Sequence, residues 1–247
     1  MRNTRVGFLG DPNFPTYGLQ GTKGADIMFY QDLYEEYSKK SFMNIEDRPF
    51  AISGLEQRLS KALNAKNNSS RGYWGIVDEY WARGLLWRRA DGVEKMIRLT
   101  RGPAGVPLPA PSWSWEGYSG AINYLKPEPR TVEWHSREVT LPWTKLSGSR
   151  TGMTTASYQG DRHLKGIAKD FYLPENEEVD DVNRDIVFDD PATRSLRGPL
   201  KVVVIGNLKV EGVPREDVRN FVLVLAKKTP ARDDLYERVG AVSFTGR

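Results

Sequence analysis

In GADIMFYQDLYEEYSKK (24–40), Ile27, Tyr30, Leu33, Tyr34 and Tyr37 recur at three- and four-residue spacing. That spacing predicts a helix with one apolar face, and its two closing lysines suit the negative end of the helix dipole. EDRPFAISGLEQRLSKAL predicts a second helix, with Asp47 able to cap it, Pro49 in the first turn, and Leu55, Leu59 and Leu63 as a stripe. Gly54 inside it costs about 1 kcal/mol against alanine, so it is expected to mark a closely packed neighbour. A third helix is predicted to start near Gly75 in GIVDEYWARG, with Val77, Tyr80 and Trp81 on one face and Gly84 ending it. LLWRR then reads as a strand or extended exit, and VEKMIRLT, after the Asp91-Gly92 turn, as a strand. Residues 1–25, with DPNFP and GLQGTKG, read as loop or mobile arm.

Beyond Ser112 the helical period disappears. SWSWEG, AINYLK, RTVEWHS, REVTLPW, HLKGIAKDF, DIVFD, LKVVVIGNLKV, NFVLVLAKK and YERVGAVSF are short apolar or alternating runs between turn signals. This spacing predicts an antiparallel sheet, with KVVVIGNLKV and NFVLVLAKK as its central strands. The expected class is α+β: a helical N-terminal third packed on a mainly antiparallel β C-terminal sandwich or barrel-like part. The chain divides into an arm over 1–25, a helical region over 26–90 and a mainly β region over 91–247. The last two are expected to form one folding unit.

Bulk composition narrows the chemistry. The chain has 247 residues, 39% of them hydrophobic, which is enough for a sizeable core. A net charge of +4 with no dense basic block gives no footprint for nucleic acid. The chain contains no cysteine, which removes disulfides, thiolate catalysis and Cys-based zinc sites, and suits a reducing, cytoplasmic setting. No run approaches the roughly 20 apolar residues of a membrane span. The tandem sequons at Asn67 and Asn68 read as a polar loop.

Catalytic motifs are not evident. GLQGTKG has the wrong spacing for a phosphate loop, and GYSG at 117–120 falls short of a nucleophile elbow. His135 and His163 have no ligand at metal spacing, and PENEEVDDVNRD (174–185) lacks the ordered spacing of a calcium loop. No catalytic, cofactor or metal residue is assigned. Seven tryptophans and eleven tyrosines leave one contest. In a strand, Trp113 and Trp115 would share a face. They would then be either an exposed platform for a sugar or other flat ligand, or the packed junction between helices and sheet. The junction is the expected state, because Trp74, Trp81 and Trp87 lie just upstream. Trp87, Trp113, Trp115 and Tyr124 are its candidate seam.

Three ordered segments carry a resemblance. They are LYEEYSKKSFMNIEDRPFAISGL (33–55), YWARGLLWRR (80–89) with PSWSWEGYSGAINY (111–124), and FVLVLAKK followed by LYERVGAVSF (235–244). They resemble the region downstream of the signature domain in fungal heterokaryon incompatibility (HET-domain) proteins. The family pattern there is a "YS" helix end, an acidic-Pro stretch, an "A-[IL]-SG" helix, "LLW", "PSWSWAS", an "LVL" strand and "YxRVG". Glu116 stands where the family usually has Ala, so it is expected at the rim of the junction, reaching water or a partner. Glu116 and Tyr118 are accordingly the candidate ligand or partner contacts. The family's upstream "SYxWG"-like and "hxIDxhCIxQ"-like stretches are not found, so the chain is expected to be a truncated, fragmentary or distinct short member.

The resemblance implies a role in fungal nonself recognition and the cell death that follows fusion of unlike strains. The family's death-triggering module is its signature domain, so no functional residue is carried over. The expected function is a non-enzymatic regulatory or interaction region, with a protein partner or self-association. The alternative is an aromatic-lined binding module for a carbohydrate or other flat ligand.

Overall fold

The computed structural model describes residues 14–19, 21–67, 72–101, 105, 110–142, 163–172, 186–195, 199–214, 217–227 and 235–245. The acidic run 174–185, residues 68–71 of the sequon loop and 1–13 of the expected arm lie outside them. The architecture is α+β, with its helices in the N-terminal part and a mainly antiparallel sheet in the C-terminal part.

After a 3-10 turn at Thr16–Leu19 come α1 (Lys23–Ser38) and α2 (Arg48–Asn67). Thr22 caps α1 by accepting from the Ala25 N–H at 3.4 Å. Its predicted face is buried whole: Ile27, Tyr30, Leu33, Tyr34 and Tyr37. Asp47 directly precedes α2, Pro49 lies in its first turn, and Leu55, Leu59 and Leu63 are buried. Leu19 is buried with them and Phe14 packs on Phe29, so these two residues of the expected loop or arm lie against the helix-side core.

Gly54 does not mark a close neighbour, because a Cβ there would meet nothing within 4 Å. The glycine only loosens the helix. Gly54→Ala is therefore expected to stabilise the protein by about 0.5–1 kcal/mol, read as a raised midpoint in thermal unfolding.

The third predicted helix begins later than expected, because residues 75–77 belong to a hairpin. β1 (Gly72–Tyr73) and β2 (Ile76–Val77) pair antiparallel through a two-residue turn. Its central residues, Trp74 (φ 56°) and Gly75 (φ 76°), both have positive φ, the requirement of the turn type that matches strand twist. A 3-10 turn (Asp78–Tyr80) leads into the short α3 (Trp81–Leu85). Val77 and Tyr80 join the helix-side core while Trp81 packs against the sheet-side core, so they share no face.

β3 (Trp87–Arg89), β4 (Ile97–Arg98), β5 (Tyr118–Ser119) and β6 (Ile122–Tyr124) form two ribbons, β3 with β6 and β4 with β5. β7 (Val132–Trp134) follows, then β8 (Val139–Thr140), which pairs with β9 (Lys165–Gly166). β10 (Ala168–Phe171), β11 (Val187–Phe188), β12 (Leu200–Leu208), β13 (Arg219–Lys227) and β14 (Tyr236–Thr245) complete the strands. The main sheet has six strands in the order β10-β12-β13-β14-β11, with β7 also on β12. β12 and β13 are interior, as their apolar content predicts. Gly206 lets β7 approach, since a Cβ there would lie 2.7 Å from the Glu133 carbonyl oxygen, and the register of β12 shifts beside it.

Strand alternation sorts the sheet residues onto two faces. Val203, Ile205, Phe221, Leu223 and Ala241 pack with Trp74, Ile76, Leu85, Leu86 and Trp113. Val202, Val222, Val224, Val242 and Phe244 form a second cluster on the opposite face. The β1–β2 hairpin, α3, the β3–β6 ribbon and Pro111–Gly117 thus make a middle layer, with α1 and α2 on one side and the sheet on the other.

Candidate functional site: the seam between helices and sheet

Pro111–Gly117 forms no strand. Ser112 and Trp113 lie in a turn, and Trp115–Gly117 close a 3-10 helix. Ser114 imposes this shape: its Oγ accepts from the Glu116 N–H at 3.2 Å and donates to the Trp74 carbonyl at 2.8 Å. A side chain that satisfies nearby backbone groups competes with ladder formation. The two indoles consequently point apart. Trp113 enters the sheet-side core and Trp115 the helix-side core.

Trp115 is 0% exposed, with the Tyr34 ring 5.1 Å and the Arg48 guanidinium 5.9 Å from its own ring. Gly75 packs against the indole, and a Cβ there would run into it. Trp87 Nε1 donates to the Trp113 carbonyl at 2.8 Å, and its ring packs on Tyr118 at 5.5 Å. Tyr124 sits opposite Trp87 in the β3–β6 pair, with its ring 6.1 Å from Tyr30. The rings at 87, 113, 115 and 124 are all buried, so they fill the junction and offer no platform to a flat ligand.

Glu116 is not at the rim. It is 0% exposed, and Tyr118 is held between Arg98 and Trp87 with its hydroxyl donating to the Ser112 carbonyl at 3.3 Å. Neither side chain reaches the surface as it stands. The 3-10 turn carries Glu116 inward, where it meets a second acid, Glu56 of α2, itself 2% exposed. Both Glu116 carboxyl oxygens are buried and accept no hydrogen bond from a donor among the described residues, and Glu56 is the acid whose charge acts on them. Glu56 accepts from the Gly75 N–H at 2.5 Å. Burial, then the charge of Glu56, push the Glu116 carboxyl well above its ordinary range, against the pull of Arg48. Arg48 is 1% exposed, donates to the Gly120 carbonyl at 2.9 Å and is itself pushed down to about 10 by burial.

A second polar cluster lies on the sheet side of the same layer. Arg238 of β14 pairs with Asp189 at 2.6 Å, the two side chains being 1% and 7% exposed. Its guanidinium stacks 3.3 Å from the Trp87 ring centre and donates to the Trp87 carbonyl, while its backbone N–H donates to Ser112 Oγ at 3.2 Å. Burial raises the Asp189 carboxyl although Arg238, Arg89 and Arg98 pull it down.

Sequence reasoning missed Glu56, Arg48, Asp189 and Arg238. Two of them left a signal. Arg48 and Glu56 stand four residues either side of the buried Ile52, so each puts a charge on the stripe that α2 turns inward. Among the described residues, no group of three or more His, Cys, Asp or Glu is placed to hold a metal ion, and no helix is long and apolar enough to cross a membrane. No family model, curated protein or solved structure matches this chain.

Proposed function

We propose that this chain is a non-enzymatic regulatory or interaction region of the heterokaryon-incompatibility type. It would act in the cytoplasm, in nonself recognition and the cell death that follows, by self-association or by contact with a protein partner. One observation supports this above the rest: the segments that carry the resemblance meet in one place. Arg238 of YERVG stacks on Trp87 of LLW. Trp87 donates to Trp113 of PSWSW, whose neighbour Ser112 accepts from Arg238. Ser38 of the "YS" helix end accepts from the Ile122 N–H at 2.9 Å. The residues that carry the resemblance are thus among the contacts that join helices to sheet. The acidic and basic groups at that junction are sealed from solvent, which suits a part that transmits contact rather than one that turns over a substrate.

Expression of the chain in one of two compatible fungal strains is expected to alter the outcome of their fusion. A variant with a broken seam should leave it unchanged. Unaltered fusion, together with a purely monomeric mass in light scattering, would sink the proposal. So would turnover of a nucleotide or an ester by the purified protein if one point change abolished it.

A further inference from the structure

The buried acid pair is the least explained feature of the fold. A helix–sheet junction can be packed with apolar groups alone, and two buried carboxyl groups close together are costly unless they hold a proton or a cation between them. Arg48 supplies one positive charge. One carboxylate, one carboxylic acid and one guanidinium sum to zero. Loss of the remaining proton leaves a net negative charge with no solvent to screen it.

We propose that Glu56 and Glu116 share a single proton and act as a pH-sensitive latch holding α2 against the Pro111–Gly117 turn. The geometry is a cluster drawn from several elements. α2 contributes Glu56 and Arg48, the β1–β2 turn gives its Gly75 N–H to Glu56, and the 3-10 helix presents Glu116. The other titratable groups facing the pair are the Tyr30, Tyr34 and Tyr37 hydroxyls of α1. Burial raises all three well above the ordinary tyrosine range, so they stay neutral while the pair titrates. Tyr124 on β6 borders Tyr30 and is raised in the same way, with Glu35 beyond it. Among the described residues, Arg48 is the cation that acts on Glu116. The shared proton belongs to the pair, and its titration is a property of both residues together.

The sign follows from linkage. In the unfolded chain Glu116 titrates near its ordinary value of 4.5, and in the fold it holds its proton to higher pH. Between those two values the folded state binds one more proton than the unfolded state. Stability therefore falls as pH rises through that window, at about tenfold in the folding constant per pH unit, and levels off above it. Two carboxylates on different elements then repel across the seam and favour its opening.

Urea unfolding across a pH series, followed by tryptophan emission, tests the latch in wild type, Glu116→Gln and Glu56→Gln. Wild type is expected to lose about tenfold in its folding constant for each pH unit inside the window. Glu116→Gln should remove that slope, and Glu56→Gln should narrow the pH window over which it runs, since burial still raises Glu116 there. The same pH profile in all three proteins would overturn the latch. A second measurement needs no variant. The infrared carbonyl stretch of a protonated carboxylic acid should persist in the folded wild type at a pH where exposed glutamates are ionised, and it should vanish on unfolding. Its absence from the folded protein would overturn the shared proton directly.

Discussion

Replacing Trp115 by alanine removes about 3–5 kcal/mol of folding stability, the usual cost of deleting a large ring from a packed core. The site gives little room for relief. The indole is fully enclosed by Tyr34, the Arg48 guanidinium and the backbone of Gly75. A cavity there would also leave the adjoining acid pair without its apolar wall. Trp113→Ala should cost a similar amount for a separate reason, since it empties a place in the sheet-side core. Urea unfolding at a fixed pH below the titration of the acid pair measures both. The two losses should add within a few tenths of a kcal/mol if the rings serve separate clusters. An unchanged midpoint in both variants would mean that neither ring is part of the core.

The sequence could be read where one pattern had one structural solution. The three- and four-residue spacing in α1 has only a helix to satisfy it, and every residue on that face is buried. The valine-rich runs of β12 and β13 are too apolar for an edge, and they are interior strands. Misreading began where a side chain or a special backbone angle outvoted the pattern. Val77, Tyr80 and Trp81 have helical spacing, but the positive φ at Trp74 and Gly75 turns the preceding chain into a hairpin. SWSWEG alternates like a strand, yet the Ser114 hydroxyl satisfies the Glu116 N–H and curls the segment into a 3-10 turn.

The same turn explains the error at Glu116. In a strand that residue would point away from both indoles and toward solvent. In the turn it points into the helix layer. Its partner Glu56 was partly legible as a charge on an apolar stripe. The pairing was not, because nothing local to either residue encodes an encounter between distant segments. The Arg238–Asp189 pair was hidden for the same reason: it joins β14 to the end of β11.

That pair carries the other large expectation. Arg238→Met keeps an unbranched apolar stem against Trp87 but leaves Asp189 buried without its cation. Removing one member of a buried ion pair costs about 3–5 kcal/mol, most of it from the stranded charge. Asp189 is already pushed up by burial, and Arg238 is the first of the groups that hold it down. Without Arg238 it should take up a proton at higher pH than in wild type. The deficit of the variant is therefore smallest in acid and grows as pH rises through the new titration of Asp189, where the charge must form with only the weaker pull of Arg89 and Arg98. Asp189→Asn in the Arg238→Met background removes that charge, so the double variant should recover part of the loss and lose the added pH dependence. A double-mutant cycle by urea unfolding at two pH values separates these effects, with a coupling of about 0.5–3 kcal/mol expected at the higher pH. Simple additivity at both pH values would mean that the stacking of Arg238 on Trp87, rather than its ion pair, is what fastens β14 to the middle layer.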